Sequence, residues 1–300
     1  MKILICDKTE SEAIERMRAA GLTVDTNFEI TAEELPNVLP AYDGCVVRGR
    51  TKIRQPLIDH CPGLKVIVRG GVGLDNIDAD YARSKGITVT NTPKASSASV
   101  AELAIGFMFD LARSINKATA TMKAEKWEKK AFEGDELGGK TLGLIGIGNI
   151  GKEVAKRANA LGMTVIVYDP YVKEAEGVRL VQLDVLLATS DYISLHLPKT
   201  KESSNMIGKA QFEKIKAGVR LINCARGGIV DEAALYEALV SGKVAGAALD
   251  VFAEEPLTDY RLLKLDNVIG SPHIGAATYE AQGRVGAEVA EKLIEFAKSH

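Results

Sequence analysis

Gly146-Ile-Gly-Asn-Ile-Gly151 follows the apolar run Gly139-Lys-Thr-Leu-Gly-Leu-Ile145 and precedes a segment whose apolar positions Ile150, Val154, Ala158 and Leu161 recur at helical spacing. A strand, a tight glycine turn and a helix in that order admit few arrangements. The first glycine permits the turn, the second lets the backbone approach a pyrophosphate, and the third lets helix and strand pack closely. The unpaired N–H groups and dipole at such a helix start favour an anion. The next strand, Thr164-Val-Ile-Val-Tyr168, ends in Asp169, 18 residues after Gly151, where a carboxylate accepts hydrogen bonds from an adenosine ribose. The unit therefore predicts a dinucleotide site. Asp169 would repel a 2′-phosphate and no arginine follows in Pro170-Tyr-Val-Lys173, so the expected cofactor is NAD rather than NADP.

The same alternation of a short β-branched run, a turn and a helical-period segment runs through the chain, which predicts an α/β protein of parallel sheets with helices on both faces. The first half predicts strands at Lys2–Cys6, Gly44–Val47, Val66–Val68 and Thr88–Val89, and helices at Ser11–Ala20, Thr31–Leu39 and Ala79–Lys85. Thr31 and Glu34 have capping-box spacing for the second of these helices. The stretch Ser96–Ala124 predicts one long helix leaving the first domain. A second sheet is expected from Thr164–Tyr168, Tyr192–Leu195, Arg220–Asn223, Ala245–Leu249 and Val268–Ile269. The last segment, Thr278–Ser299, predicts a helix that docks back on the first domain.

Composition narrows the function classes. Lys plus Arg (38) nearly cancel Asp plus Glu (40), leaving no field to hold a nucleic acid. The opening Met1-Lys-Ile-Leu-Ile-Cys-Asp7 meets an acid after one short apolar run, too brief for a signal peptide or a membrane span, so a cytoplasmic location is expected. Cys6, Cys45, Cys61 and Cys224 lie far apart without metal-ligand spacing and are expected to be buried, reduced thiols, with no metal bound.

Three polar residues follow apolar strands of the second half: Arg226, Glu255 and His273. Open α/β sheets place their sites there, outside the carboxyl ends of the strands. Oxidising a 2-hydroxy acid requires a group that takes the hydroxyl proton as hydride leaves carbon 2, and a histidine suits that exchange near neutrality. A carboxylate on the other ring nitrogen would set its tautomer, and an arginine fork would hold a substrate carboxylate. Taken singly, each residue also has an ordinary structural reading: a hydrogen-bonded core histidine, an arginine capping the turn at Gly227-Gly228, and a loop acid before Pro256.

The surrounding motifs carry a resemblance. Val47-Arg-Gly-Arg-Thr-Lys52, Gly70-Gly-Val-Gly-Leu-Asp-Asn-Ile-Asp78, Asn91-Thr-Pro93, Ala101-Glu-Leu103, Lys126-Trp127, Asn223-Cys-Ala-Arg-Gly-Gly-Ile-Val-Asp231, Ala247-Ala-Leu-Asp-Val-Phe252, Glu255-Pro256 and Pro272-His-Ile-Gly-Ala276 occur in this order, and the chain resembles the D-isomer-specific 2-hydroxy acid dehydrogenases over nearly its whole length. The resemblance implies two Rossmann-like doubly wound domains with a cleft between them: a substrate-binding domain of residues 1–95 plus 277–300, and an NAD-binding domain of residues 96–276. It implies Arg226, Glu255 and His273 as catalytic residues. It implies cofactor contacts from Val72, Gly146, Gly148, Asn149, Ile150, Gly151, Asp169, Leu197, Cys224, Ala225, Arg226, Asp250, His273, Gly275 and Ala276.

Arg48, Arg50, Lys52 and Arg69 cluster near two predicted strand ends, and Arg48 and Arg69 match family positions that hold substrate. Backbone N–H groups of Gly70, Gly71, Val72 and Gly73 could form an anion nest for its carboxylate. The resemblance implies that these residues, together with Arg226, hold a phosphorylated small-molecule substrate, 3-phosphoglycerate. Arg50 and Lys52 also read as a solvated basic edge. A homodimer is expected through the long helix and Lys126-Trp127, and a C-terminal regulatory domain found in longer relatives is expected to be missing. The alternatives are a glyoxylate or hydroxypyruvate reductase of the same family and, more remotely, an NAD-sensing protein resembling transcriptional corepressors.

Overall fold

The computed structural model describes residues 1–299, and these divide into two compact units, Met1–Ser96 with the segment from Ala276 onward, and Ser97–Gly275. In the first unit the chain runs β1 (Lys2–Ile5), α1 (Ser11–Ala19), β2 (Thr23–Thr26), α2 (Leu35–Val38), β3 (Gly44–Val47), α3 (Gln55–His60), β4 (Val66–Arg69), α4 (Ala79–Ser84) and β5 (Thr88–Asn91). Its sheet is wholly parallel in the order β2-β1-β3-β4-β5. The direction of winding reverses between β1 and β3, the switch point where open α/β sheets leave a crevice beyond the strand ends. Both faces are covered, which is why its inner strands β1, β3 and β4 are apolar apart from Lys2 at the start of β1 and Arg69 at the end of β4. Ile3, Ile5 and Val46 point to one core, while Leu4, Cys6, Cys45 and Val47 point to the other.

The second unit opens with α5 (Ser97–Arg113) and α6 (Ile115–Lys123), then winds through β6 (Thr141–Ile145), α7 (Asn149–Ala160), β7 (Thr164–Tyr168), β8 (Arg179–Leu180), α8 (Leu183–Thr189), β9 (Tyr192–Leu195), α9 (Lys209–Lys214), β10 (Val219–Asn223), α10 (Glu232–Val240), β11 (Val244–Leu249) and β12 (Val268–Gly270). The seven strands are again parallel, ordered β12-β11-β10-β9-β6-β7-β8, with the switch point between β6 and β9. Finally α11 (Tyr279–Ser299) packs on α1 and β4 of the first unit. Its Val285, Val289 and Leu293 are buried there at helical spacing, each contributing on the order of 1.5–3 kcal/mol of apolar burial. The architecture is α/β with two Rossmann-like sheets.

Two local expectations are corrected, and two elements went unanticipated. The helix expected over Thr31–Leu39 is only Leu35–Val38, followed by a 3₁₀ turn at Leu39–Ala41. Thr31 and Glu34 do exchange their reciprocal bonds, the Glu34 amide donating to Thr31 Oγ1 (3.2 Å) and the Thr31 amide to Glu34 Oε2 (3.0 Å). Pro36 is tolerated only in a first turn and Pro40 disfavours helix before it, so the helix has room for a single turn. The long helix breaks at Ser114, which takes left-handed angles (φ 50°) between α5 and α6. The Asp135 amide donates to the Ala112 carbonyl (3.0 Å), so the incoming chain satisfies the end of α5. Strand β2 and helix α3 were not anticipated: β2 is an edge strand whose only buried residue is Val24, too little pattern to read.

All four cysteines are free and buried. Burial pushes the Cys6 thiol up to about 12 and the Cys61 thiol up to about 11, and raises those of Cys45 and Cys224. Since thiolate is the reactive form, none is expected to react with a thiol reagent such as DTNB until denaturant is added, when all four should titrate. Prompt native-state labelling of one would contradict this burial.

Candidate active site

The glycine turn joins β6 to α7. Gly146 has φ 95°, and a Cβ there would lie 2.3 Å from the His196 carbonyl oxygen. A Cβ on Gly151 would lie 2.4 Å from the Gly146 oxygen, so helix and turn touch through this residue. Gly148, the N-cap of α7, has nothing within 4 Å of its Cβ position, and with Asn149 it is exposed. Space is therefore left open only where a ligand would approach. Asp169, after β7, spends both oxygens locally: Oδ2 accepts from the Ile147 amide (3.0 Å) and Oδ1 from the Tyr171 amide (3.0 Å). It thus steadies the turn. Leu197 is half-buried just beyond β9, and Ile150 is half-buried in the first turn of α7.

Alanine at Gly148 is expected to leave the unfolding midpoint unchanged and weaken NADH binding about tenfold or more. Alanine at Gly151 should instead cost stability, about 1–3 kcal/mol of overpacking. Fluorescence titration with NADH and denaturant melts separate the two, and equal behaviour of both variants would remove the pyrophosphate assignment.

The second group lies beyond β10, β11 and β12. His273 Nδ1 and Glu255 Oε2 are 2.7 Å apart, and Glu255 Oε1 accepts from the Phe252 amide (3.0 Å). Burial pushes the Glu255 carboxyl up, but the bonds from His273 and the Phe252 amide and the charges of His273 and Arg226 outweigh it and hold it below the ordinary range. Both side chains are more than a third exposed, so the pair serves to orient the ring more than to stabilise the fold. With Nδ1 occupied, Nε2 is the ring nitrogen left for a reacting hydroxyl.

His273 itself has φ 53°, a conformation costly for a non-glycine residue and held by what surrounds it. That support is Asp250, which is 1% exposed. Its Oδ1 accepts from Ser271 Oγ (2.5 Å) and the Ile274 amide (2.8 Å), its Oδ2 accepts from the Gly275 amide (2.8 Å), and its backbone carbonyl takes the His273 amide (2.9 Å). Asp250 therefore organises the loop that presents the histidine, a role sequence reading did not assign to it. Asn223 does the same for the arginine turn: Oδ1 accepts from the Ala225 amide and Nδ2 donates to the Arg226 carbonyl, both at 3.0 Å. Arg226 donates from Nη1 to the Ala225 carbonyl (2.7 Å). Gly227 has no room for a side chain, since a Cβ would lie 1.6 Å from the Phe252 oxygen, so the arginine turn sits directly on the segment leading to Glu255. Cys224 and Ala225 are buried beneath it, and Gly275 is buried against Asp250 and Val100.

The remaining residues belong to the first unit. Arg48 and Arg69 are half-buried past β3 and at the end of β4, with the Arg69 guanidinium lying over Gly71. The four-amide anion nest is corrected: the Gly70 amide donates to the Val47 carbonyl (2.8 Å) and the Gly71 amide to Thr92 Oγ1 (2.7 Å). Only the Val72 and Gly73 amides remain for it. Arg50, though half exposed, spends its donors inside the fold. Its Nε pairs with Asp7, its Nη1 with the Ile30 carbonyl and its Nη2 with the Cys6 and Phe28 carbonyls. Lys52 is exposed, and Ala276 is half-buried in the first unit. Sequence reading missed Gln282 of α11, which accepts from Arg48 Nη1 and donates to the Ala276 carbonyl (2.9 Å).

A parallel sheet with a glycine turn at its switch point and a histidine–carboxylate pair past its strand ends defines the class of dinucleotide-dependent dehydrogenases. Comparison narrows this. Residues 105–275 match the model of the D-isomer specific 2-hydroxyacid dehydrogenase, NAD binding domain, and the chain belongs to that family. Its second unit is an NAD-binding domain. The chain is 51% identical to a D-3-phosphoglycerate dehydrogenase of Archaeoglobus fulgidus over 99% of its length and 58% of the relative's. It is 50% identical to a hydroxypyruvate reductase of Thermotoga maritima over 98% of its length and 97% of the relative's. Thus the chain spans little more than half of the phosphoglycerate dehydrogenase and nearly all of the reductase. Among solved structures, a D-lactate dehydrogenase from Aquifex aeolicus complexed with NAD and lactic acid superposes with a TM-score of 0.86 at 33% identity, covering 100% of this chain and 96% of that one.

Proposed function

We propose that the protein oxidises 3-phosphoglycerate to 3-phosphohydroxypyruvate with NAD, the step that would open a phosphorylated route to serine. The observation that carries the chemistry of this reading is the 2.7 Å contact between His273 Nδ1 and Glu255, with the His273 loop held by buried Asp250. Nε2 of His273 takes the proton from the substrate hydroxyl as the bond from carbon 2 to its hydrogen breaks, and returns it in the reverse direction. When bound, NAD supplies the acceptor for the hydride. Glu255 keeps the ring oriented and offsets the charge it gains. Arg226 holds the substrate carboxylate, a contact whose removal from a site of developing charge costs about 2.7–4 kcal/mol. Arg48 and Arg69 hold the phosphate, with the Val72 and Gly73 amides beside them. Gly146, Gly148, Asn149, Ile150, Gly151, Asp169 and Leu197 hold the cofactor.

A second reading, reduction of hydroxypyruvate, is favoured by one observation: Arg50 and the Gly70 and Gly71 amides are already used inside the fold, which thins the phosphate-binding set. Initial rates of NADH and NADPH oxidation with 3-phosphohydroxypyruvate, hydroxypyruvate and glyoxylate decide between them. The phosphorylated substrate with NADH is expected to be preferred clearly. Equal or better use of hydroxypyruvate would reassign the substrate while keeping the mechanism.

The reading extends to a cytoplasmic homodimer. Helix α6 has no buried residue, and Phe109, Ile115, Met122 and Trp127 expose apolar surface along α5, α6 and the segment that follows, which a second copy would cover. Among the described residues no helix is long and apolar enough to cross a membrane.

A further inference from the structure

We infer that Asp7 is a positioning residue for phosphate recognition, acting through Arg48. The inference rests on the proposed role of Arg48 and concerns a residue that touches no substrate. Asp7 follows β1 and Arg48 follows β3, so the two flank the switch point of the first sheet. Asp7 is only 5% exposed and takes four donors from one loop. Oδ2 accepts from the amides of Arg48 (2.5 Å) and Thr51 (3.3 Å), while Oδ1 accepts from the Thr51 hydroxyl (2.9 Å) and Arg50 Nε (3.1 Å). Asn76 completes the loop from the other side, its Nδ2 donating to the carbonyls of Arg48 (2.8 Å) and Thr51 (2.6 Å).

The charges explain why an arginine is tied up here. A buried carboxylate beside an anion site would repel the anion unless neutralised. Arg50 supplies that charge and donates to the Cys6, Phe28 and Ile30 carbonyls, so its guanidinium is spent on the fold rather than on a phosphate. The Arg48 backbone is thereby held by Asp7 while its aliphatic stem rests against Gly70 and its guanidinium, donating to Gln282, keeps its charge for a ligand. The Arg48 and Thr51 amides on Oδ2 and Arg50 Nε on Oδ1 can only donate, so an asparagine, which replaces one acceptor by an NH2, sets donor against donor at whichever oxygen it replaces and shifts the loop.

The test is steady-state kinetics of Asp7→Asn with 3-phosphohydroxypyruvate and with hydroxypyruvate, alongside NADH titration. A rise of about tenfold or more in KM for the phosphorylated substrate is expected, with hydroxypyruvate KM and NADH affinity changed by less than about twofold. Equal changes for both substrates, or none, would overturn the inference. Should Asp7→Asn fail to fold, Thr51→Val removes one donor and keeps the carboxylate, and a selective rise of about threefold is expected. An unselective or absent effect there overturns it equally. Wild-type protein with no preference for the phosphorylated substrate would remove the proposed function and this inference together, whereas a preference retained in both variants removes the inference alone.

Discussion

Alanine in place of His273 lowers turnover by about two orders of magnitude or more while NADH affinity stays near its original value, the loss expected of a removed general acid/base. The imidazole makes its contact with Glu255 and is otherwise free to face a substrate, whereas the loop is held through backbone groups and Asp250 that the substitution leaves in place. Single-turnover rates with pre-bound NADH measure the chemical step, and NADH fluorescence measures binding. Weak NADH binding in this variant would move His273 from the chemistry to the cofactor site. The pH profile carries a further sign. Because the Glu255 carboxyl is held low in the folded protein, its contribution is complete above the ordinary carboxylate range and is lost only as pH falls through the lowered value. The acid limb that disappears in Glu255→Gln should therefore lie below the ordinary glutamate range.

Asp250→Ala is expected to be the most damaging single change for the fold around the site. It removes the partner of Ser271 Oγ and of the Ile274 and Gly275 amides at a position 1% exposed. Leaving such donors unsatisfied costs roughly 1–3 kcal/mol each, so the total loss is on the order of 3 kcal/mol or more. The same change releases the strained backbone of His273, so turnover should fall with stability. Urea unfolding and turnover at saturating NADH measure both. An unchanged midpoint with unchanged turnover would show that the loop is held by something else.

The glycine turn was legible because its requirements are local: a strand, three glycines at set spacing and a helix are read from neighbouring residues. The inner strands were legible for a related reason, since a parallel sheet covered on both faces needs apolar residues at every position. Strand β2 was not, because an edge strand with one buried residue carries no such signal. The break at Ser114 was hidden as well. Nothing in Ala112-Arg-Ser-Ile-Asn116 stops a helix, and the chain returning at Asp135 supplies the partner that ends α5.

The site divides in the same way. Arg226, Glu255 and His273 could be nominated by their positions after apolar strands, but residues 255 and 273 meet at 2.7 Å only because β11 and β12 are adjacent in the sheet. Arg48 and Arg50 look alike in sequence, two cations separated only by Gly49. Folding separates them, since Arg50 finds three carbonyls and a buried carboxylate within reach while Arg48 meets Gln282 from a helix more than two hundred residues further along. The amino-acid sequence by itself determined the class of sheet, the dinucleotide turn and the residue types available for chemistry, because these follow from spacing along the chain. Only the tertiary structure decided which polar groups are spent on the fold and which are left for a ligand, because a hydrogen bond needs its partner in space and most of these partners are distant in sequence.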